Sequence, residues 1–174
     1  ELAYTRARQL CEQVGDPGEM FQALWGLWLL WTMQGKTERG RPLGEELLVL
    51  AKRSNDQALL LEAHHALWAT LCWVGEPTAS REHIQAGMAL YDREQHRSHA
   101  FFYGGHDPGV CCRSFSGITL WALGYPARAL EDSNAGLALA EELSHPFSST
   151  LALVWACMLH QFRGEVEVTR NRAK

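Results

Sequence analysis

The chain has 174 residues, 47% hydrophobic and 21% charged, which is enough apolar material for a buried core in one domain. Its net charge is −4 and its lysines and arginines are scattered, so a phosphate-backbone footprint is missing and nucleic acid is not an expected partner. Five cysteines without Cys-x-x-Cys spacing point to reduced thiols and a cytoplasmic setting, and no apolar run is long enough to make a membrane an expected partner.

Every predicted element is a helix, since no stretch alternates with period two for long enough to be a strand. Residues 1–15 read as a lone helix. Asp16-Pro17-Gly18 then supplies a cap and a first-turn proline for a helix over 18–33, which ends at Gln34-Gly35. A second helix over 38–53 stops at Ser54-Asn55. Helices over 56–74 and 77–93 follow, the latter with Pro77 near its first turn. Asp107-Pro108-Gly109 opens a helix running to Leu123, Gly124-Tyr125 turns the chain, and Pro126 opens a helix running to Leu143. His145-Pro146 opens a helix through Phe162, and beyond Gly164 a further helix is cut short.

These helices repeat. Gly35, Gly75, Gly124 and Gly164 are spaced 40, 49 and 40 residues apart, and Leu50, Leu90 and Leu139 follow the first three at a constant distance, with Leu10 extending that series backwards. Five residues after each glycine stand Gly40, Ser80, Ala129 and Thr169, and twelve before it Ala23, Ala63, Cys112 and Ala152. Small residues at fixed offsets let paired helices approach closely. A period of this size marks a stacked helical array. The expected architecture is an all-α, right-handed superhelix of helical hairpins. It comprises a partial repeat over 1–15, repeats over 16–55, 56–104 and 105–144, and a partial repeat over 145–174. A HEAT-like array is the structural alternative. The cut repeats imply a piece of a longer protein. The apolar helix over 147–162, left uncovered, would drive self-association.

The segment Trp121-Ala122-Leu123-Gly124-Tyr125-Pro126-Ala127-Arg128-Ala129-Leu130, with Gly136-Leu137-Ala138-Leu139-Ala140 after it, resembles a tetratricopeptide repeat (TPR). Gly117, Ala129 and Gly136 match its small positions, whereas Trp28 and Trp68 stand where such a repeat prefers glycine. The latter two imply wider helix spacing in the first two repeats. The 40-residue period is more similar to the repeats of bacterial signalling ATPases of the maltose-regulator type. The runs over 105–112 and 139–147 resemble the TPR tails of proteins that join a class III adenylate/guanylate cyclase or DNA-binding domain to a P-loop ATPase. The resemblance implies that the first helix of each hairpin lines a concave groove. The groove residues would be Gln22, Trp25 and Leu29, then Glu62, His65 and Trp73, then Cys111, Ser114, Ile118 and Trp121. That mixture suits a peptide or small ligand.

Catalytic motifs are weak. Gly35-Lys36-Thr37 imitates the tail of a phosphate-binding loop, but Leu30 stands where its glycine belongs and a helix precedes it, so a helix turn is expected. Trp25, Trp28 and Trp31 form a helical stripe that reads as core. His64-His65 have no triad partners at a recognisable spacing. The 49-residue interval contains an insert over 93–106 with His96, His99 and His106 around Phe101, Phe102 and Tyr103. Joined by Cys111, these histidines could ligate zinc; the plainer reading is a loop whose aromatics pack over helix ends. No catalytic residue, resident metal or cofactor is assigned. The expected function is a non-catalytic interaction or sensor scaffold with a protein or peptide partner. A small-molecule effector site in the same groove is the first alternative and a metal-binding module at 93–106 the second.

Overall fold

The computed structural model describes residues 17–173 together with Arg6, Gln9 and Leu10. The rest of the expected helix over 1–15 and the Asp16 cap lie outside the described residues. Among the described residues there are nine helices and no strand: α1 (Pro17–Met33), α2 (Thr37–Ser54), α3 (Gln57–Trp73), α4 (Pro77–Leu90), α5 (His99–Phe102), α6 (Pro108–Ala122), α7 (Pro126–Leu143), α8 (Pro146–Phe162) and α9 (Val166–Arg172).

The recurring glycines make the hairpin turns. All four are left-handed, with φ of 70°, 80°, 82° and 73° at Gly35, Gly75, Gly124 and Gly164. Each donates its N–H three residues back while the next residue donates five residues back, as in Gly35 N–H to Thr32 O and Lys36 N–H to Trp31 O. This double closure satisfies the last carbonyls of the helix and requires a residue that tolerates positive φ. The other ends of the hairpins use Asn55 and Ser144 in the left-handed region. Asp56 and Asp107 then cap α3 and α6 by accepting backbone N–H bonds.

The helices form two layers. α1, α3, α6 and α8 pack successively against one another, and each also packs against the helix that follows it in its hairpin. The small positions lie at these contacts: Ser80, Ala129 and Ala63 are fully buried, and Cys112 and Ala152 nearly so. The bulk of Trp28 and Trp68 is accommodated by glycines on the paired helices. A Cβ on Gly40 would stand 3.2 Å from Trp28 Cδ1, and one on Gly87 only 2.4 Å from Trp68 Cζ3. The third hairpin inverts the pairing, with Gly117 of α6 against Ala129 and Ser133 of α7. Trp28 Nε1 donates to Thr70 Oγ1 at 2.8 Å and ties α1 to α3 through the core.

One helix is shorter than its sequence suggests. α4 ends at Leu90 rather than Arg93 because Tyr91 is extended. Asp92 Oδ1 accepts the N–H groups of Glu94 and Gln95 and builds a local turn that competes with helix continuation. At the far end of the array, Leu153 and Val154 of α8 are exposed, as are Phe147 and Phe162.

Candidate functional site

The connection from α4 to α6 folds back onto the inner layer. Tyr103 is buried against Phe21 and Trp25, with ring centroids 6.1 and 5.3 Å away, whereas Phe101 and Phe102 remain exposed. Gly104 and Gly105 are both left-handed and turn His106 inward. A Cβ on Gly104 would stand 2.8 Å from His106 Cε1 and 3.1 Å from Trp25 Cη2, so that position needs glycine for space as well as for φ.

Beneath this connection lies a buried polar chain. Glu62 Oε2 accepts from His65 Nδ1 at 2.9 Å and Glu62 Oε1 accepts from His99 Nδ1 at 2.6 Å. Burial pushes the Glu62 carboxyl up, but the hydrogen bonds from His65 and His99 outweigh it and hold it below its ordinary value. Glu62 is therefore an ionised acceptor, and both histidines present Nδ1–H to it. His65 Nε2 faces His106 Nε2 and Cys111 Sγ, each at 3.3 Å. His106 Nδ1 donates to Gly104 O at 3.0 Å. Burial and the neighbouring His65 push His106 down to about 4, so its ring is neutral near pH 7. Burial, reinforced by Cys112, pushes the Cys111 thiol well up.

His65, His106 and Cys111 form part of the wall of a cavity of about 130 Å³. Trp25, Trp28, Leu29, Thr32 and Met33 of α1 line it with Ala69 and Trp73 of α3, Phe115 of α6, and Leu151 and Trp155 of α8. Phe115 and Trp155 meet at a tilt with ring centroids 4.4 Å apart and Trp73 meets Trp155 at 5.3 Å, so aromatic contacts fix the walls. At the rim, Met33 is 73% exposed and Trp73 49%.

Five of the residues expected in a groove share this cavity: Trp25, Leu29, His65, Trp73 and Cys111. Gln22 is on the exposed side of α1, and Glu62 is fully buried behind His65. Ser114 turns back to Val110 O and packs near Gly136 of α7. Ile118 and Trp121 are not in the cavity wall and pack around Leu120, Ala129 and Leu159, with Ile118 also against the main core. Of the tryptophan stripe, Trp25 and Trp28 face the cavity, while Trp31 is covered by Lys36 and Arg39 at 4.7 and 4.5 Å. The expected zinc set is not assembled: His96 Nδ1 takes the Asp92 N–H and His99 bonds Glu62, leaving His106 and Cys111 with His65.

The residues missed follow the same glycine ruler at a changed offset. In the first two hairpins the wall residues lie ten and six before the glycine, as Trp25/Leu29 and His65/Ala69. In the last two they lie thirteen and nine before it, as Cys111/Phe115 and Leu151/Trp155. After the long connection, the inner helices present a different edge.

No family model matches the chain, and no solved structure matches it. The chain is 25% identical over 162 residues to an uncharacterized protein of Rhizobium meliloti (strain 1021). The match takes in 93% of this chain and 15% of that relative, so the chain spans a small part of the length of the curated relative it matches.

Proposed function

We propose that the chain is a non-catalytic, tetratricopeptide-like arm of a larger cytoplasmic signalling or transcription-regulating protein, a right-handed superhelix that binds a protein or peptide partner through its inner layer. The inner helices α1, α3, α6 and α8 touch in series, which supports a curved array with these helices on its concave side. The observation that carries the reading is the size and lining of the cavity. About 130 Å³ bounded by tryptophan, phenylalanine and leucine takes one benzene-sized group. Drug- or cofactor-sized ligands use about 300–1,000 Å³. One aromatic or branched side chain of a peptide therefore fits better than a whole effector molecule, and the exposed Met33 and Trp73 offer contact to the flanking chain. Burial of Cys111 keeps it a thiol and unsuited to nucleophilic attack, in keeping with a binding role.

Capped tripeptides differing only at the central residue test this reading by calorimetric titration. Phe and Leu peptides are expected to bind and the Gly peptide to fail, with Leu151→Trp, which fills the cavity, abolishing the difference. Equal affinity for all three, or tighter binding of a nucleotide-sized molecule, would sink the anchor reading.

A further inference from the structure

We propose that His65 Nε2, His106 Nε2 and Cys111 Sγ form a site for one divalent transition-metal ion of zinc type, with a fourth coordination position facing the aromatic cavity. This goes beyond the peptide-binding reading and does not rest on it.

The first argument is a proton count. His65 Nδ1 donates to the Glu62 carboxylate and His106 Nδ1 donates to Gly104 O, and neither oxygen can donate in return. When both rings are uncharged, each has spent its ring proton on these bonds. The 3.3 Å contact between the two Nε2 atoms then sets one lone pair against another. The Cys111 S–H can donate to His65 Nε2, but His106 Nε2 still faces an acceptor. One added proton would bridge the two nitrogens; a metal cation between the rings bridges them and also takes the Cys111 sulfur as a ligand.

The second argument is spacing. A tetrahedral zinc ion with bonds of about 2.0–2.1 Å to nitrogen and about 2.3 Å to sulfur has edges of roughly 3.3–3.6 Å. The His65–His106 and His65–Cys111 distances, both 3.3 Å, already approximate two such edges, and no two of the three ligand atoms are more than 4.8 Å apart. The third edge, at most 4.8 Å, closes with a movement of about 1 Å. Two imidazoles and a thiolate are the donor set that borderline divalent metals prefer.

The third argument is the surrounding shell. Metal-bound histidines donate their other N–H to a carboxylate or backbone carbonyl, which fixes tautomer and orientation. His65 does so to Glu62 and His106 to Gly104 O. A divalent ion, the Cys111 thiolate and the Glu62 carboxylate sum to zero charge, which suits a buried location. A thiolate would also give an acceptor to the Trp68 indole N–H, which is buried without a hydrogen-bond partner and interacts with Cys111.

The test is to strip the 174-residue chain with a chelator and titrate it with Co²⁺, then with Zn²⁺. One Co²⁺ per chain is expected, with tetrahedral visible bands, a thiolate-to-cobalt charge-transfer band, and displacement by Zn²⁺. Cys111→Ser should remove the charge-transfer band, and His106→Asn should weaken binding at least about tenfold. Cys112→Ser should keep the band, because that sulfur faces Ile84 O. Should Cys111→Ser unfold, the wild-type protein still decides: Zn²⁺ binding must release about one proton from the buried thiol. No saturable Co²⁺ binding at micromolar concentration, binding without a thiolate band or proton release, or a band that survives Cys111→Ser and vanishes in Cys112→Ser would overturn the proposal.

Discussion

The glycine turns within the hairpins and the long connection from Tyr91 to Asp107 do different work. The turns at Gly35, Gly75, Gly124 and Gly164 are copies of one motif; a Cβ added at any of these glycines would meet nothing within 4 Å. They fix the hairpin and touch little else. The connection from Tyr91 to Asp107 has no such regularity, yet it sends Tyr103 into the core and places His99 and His106 on the α3 histidine and carboxylate. The repeat builds the scaffold, and the single departure from it builds the polar cluster.

Removing the carboxylate at the centre of that cluster should have the largest effect. Glu62→Ala leaves two buried histidines without their acceptor and is expected to destabilise by roughly 3–5 kcal/mol in chemical denaturation. The matching change at a regular turn, Glu76→Ala, removes only the exposed pair with Arg41 and should leave the midpoint nearly unchanged. A similar loss from both would erase the distinction between the two connections.

Glycine substitutions sharpen the same contrast at smaller scale. Gly35→Ala meets open space and should cost about 1–2 kcal/mol for its left-handed backbone alone. Gly104→Ala carries that strain and also crowds His106 and Trp25, adding roughly 1–3 kcal/mol. Equal costs would mean that His106 is not held against the connection as described.

The contrast extends to pH dependence. Burial, with the charges of His83 and Lys52, holds His64 down at about 4, and its Nδ1 lies 2.8 Å from that of His83. His106 is likewise held at about 4. As pH falls, the unfolded chain takes up these protons before the folded one. Stability is therefore complete above about pH 6.5 and declines towards about pH 4. Thermal melts across that window should show a falling midpoint, with a shallower slope in His64→Gln. A flat profile would contradict the buried, neutral histidines.

Much of the scaffold was legible because its demands are local. A left-handed turn needs glycine, and close helix contacts need Gly40, Ser80, Ala129 and Ala63 to be small. The cavity was legible in part. Trp25, Leu29, His65, Trp73 and Cys111 follow from the repeat offset, whereas Ser114, Ile118 and Trp121 do not reach it. The long connection changes which edge of α6 and α8 faces inward, and no periodicity within one helix records that change. The pairing of His106 with His65, 41 residues apart in sequence, depends on the path of the connection. His96 and His99, in the same insert, find Asp92 and Glu62 instead.

The inner-layer cavity is the feature on which the binding account stands, and the seven tryptophans report on it directly. Indole ¹H–¹⁵N spectra recorded while toluene is added measure its occupancy residue by residue. The account predicts saturable shifts at Trp25, Trp28, Trp73 and Trp155, which line the cavity, with Trp31 and Trp121 unmoved. Absence of saturable shifts, or shifts of equal size at Trp31 and Trp121, would contradict it.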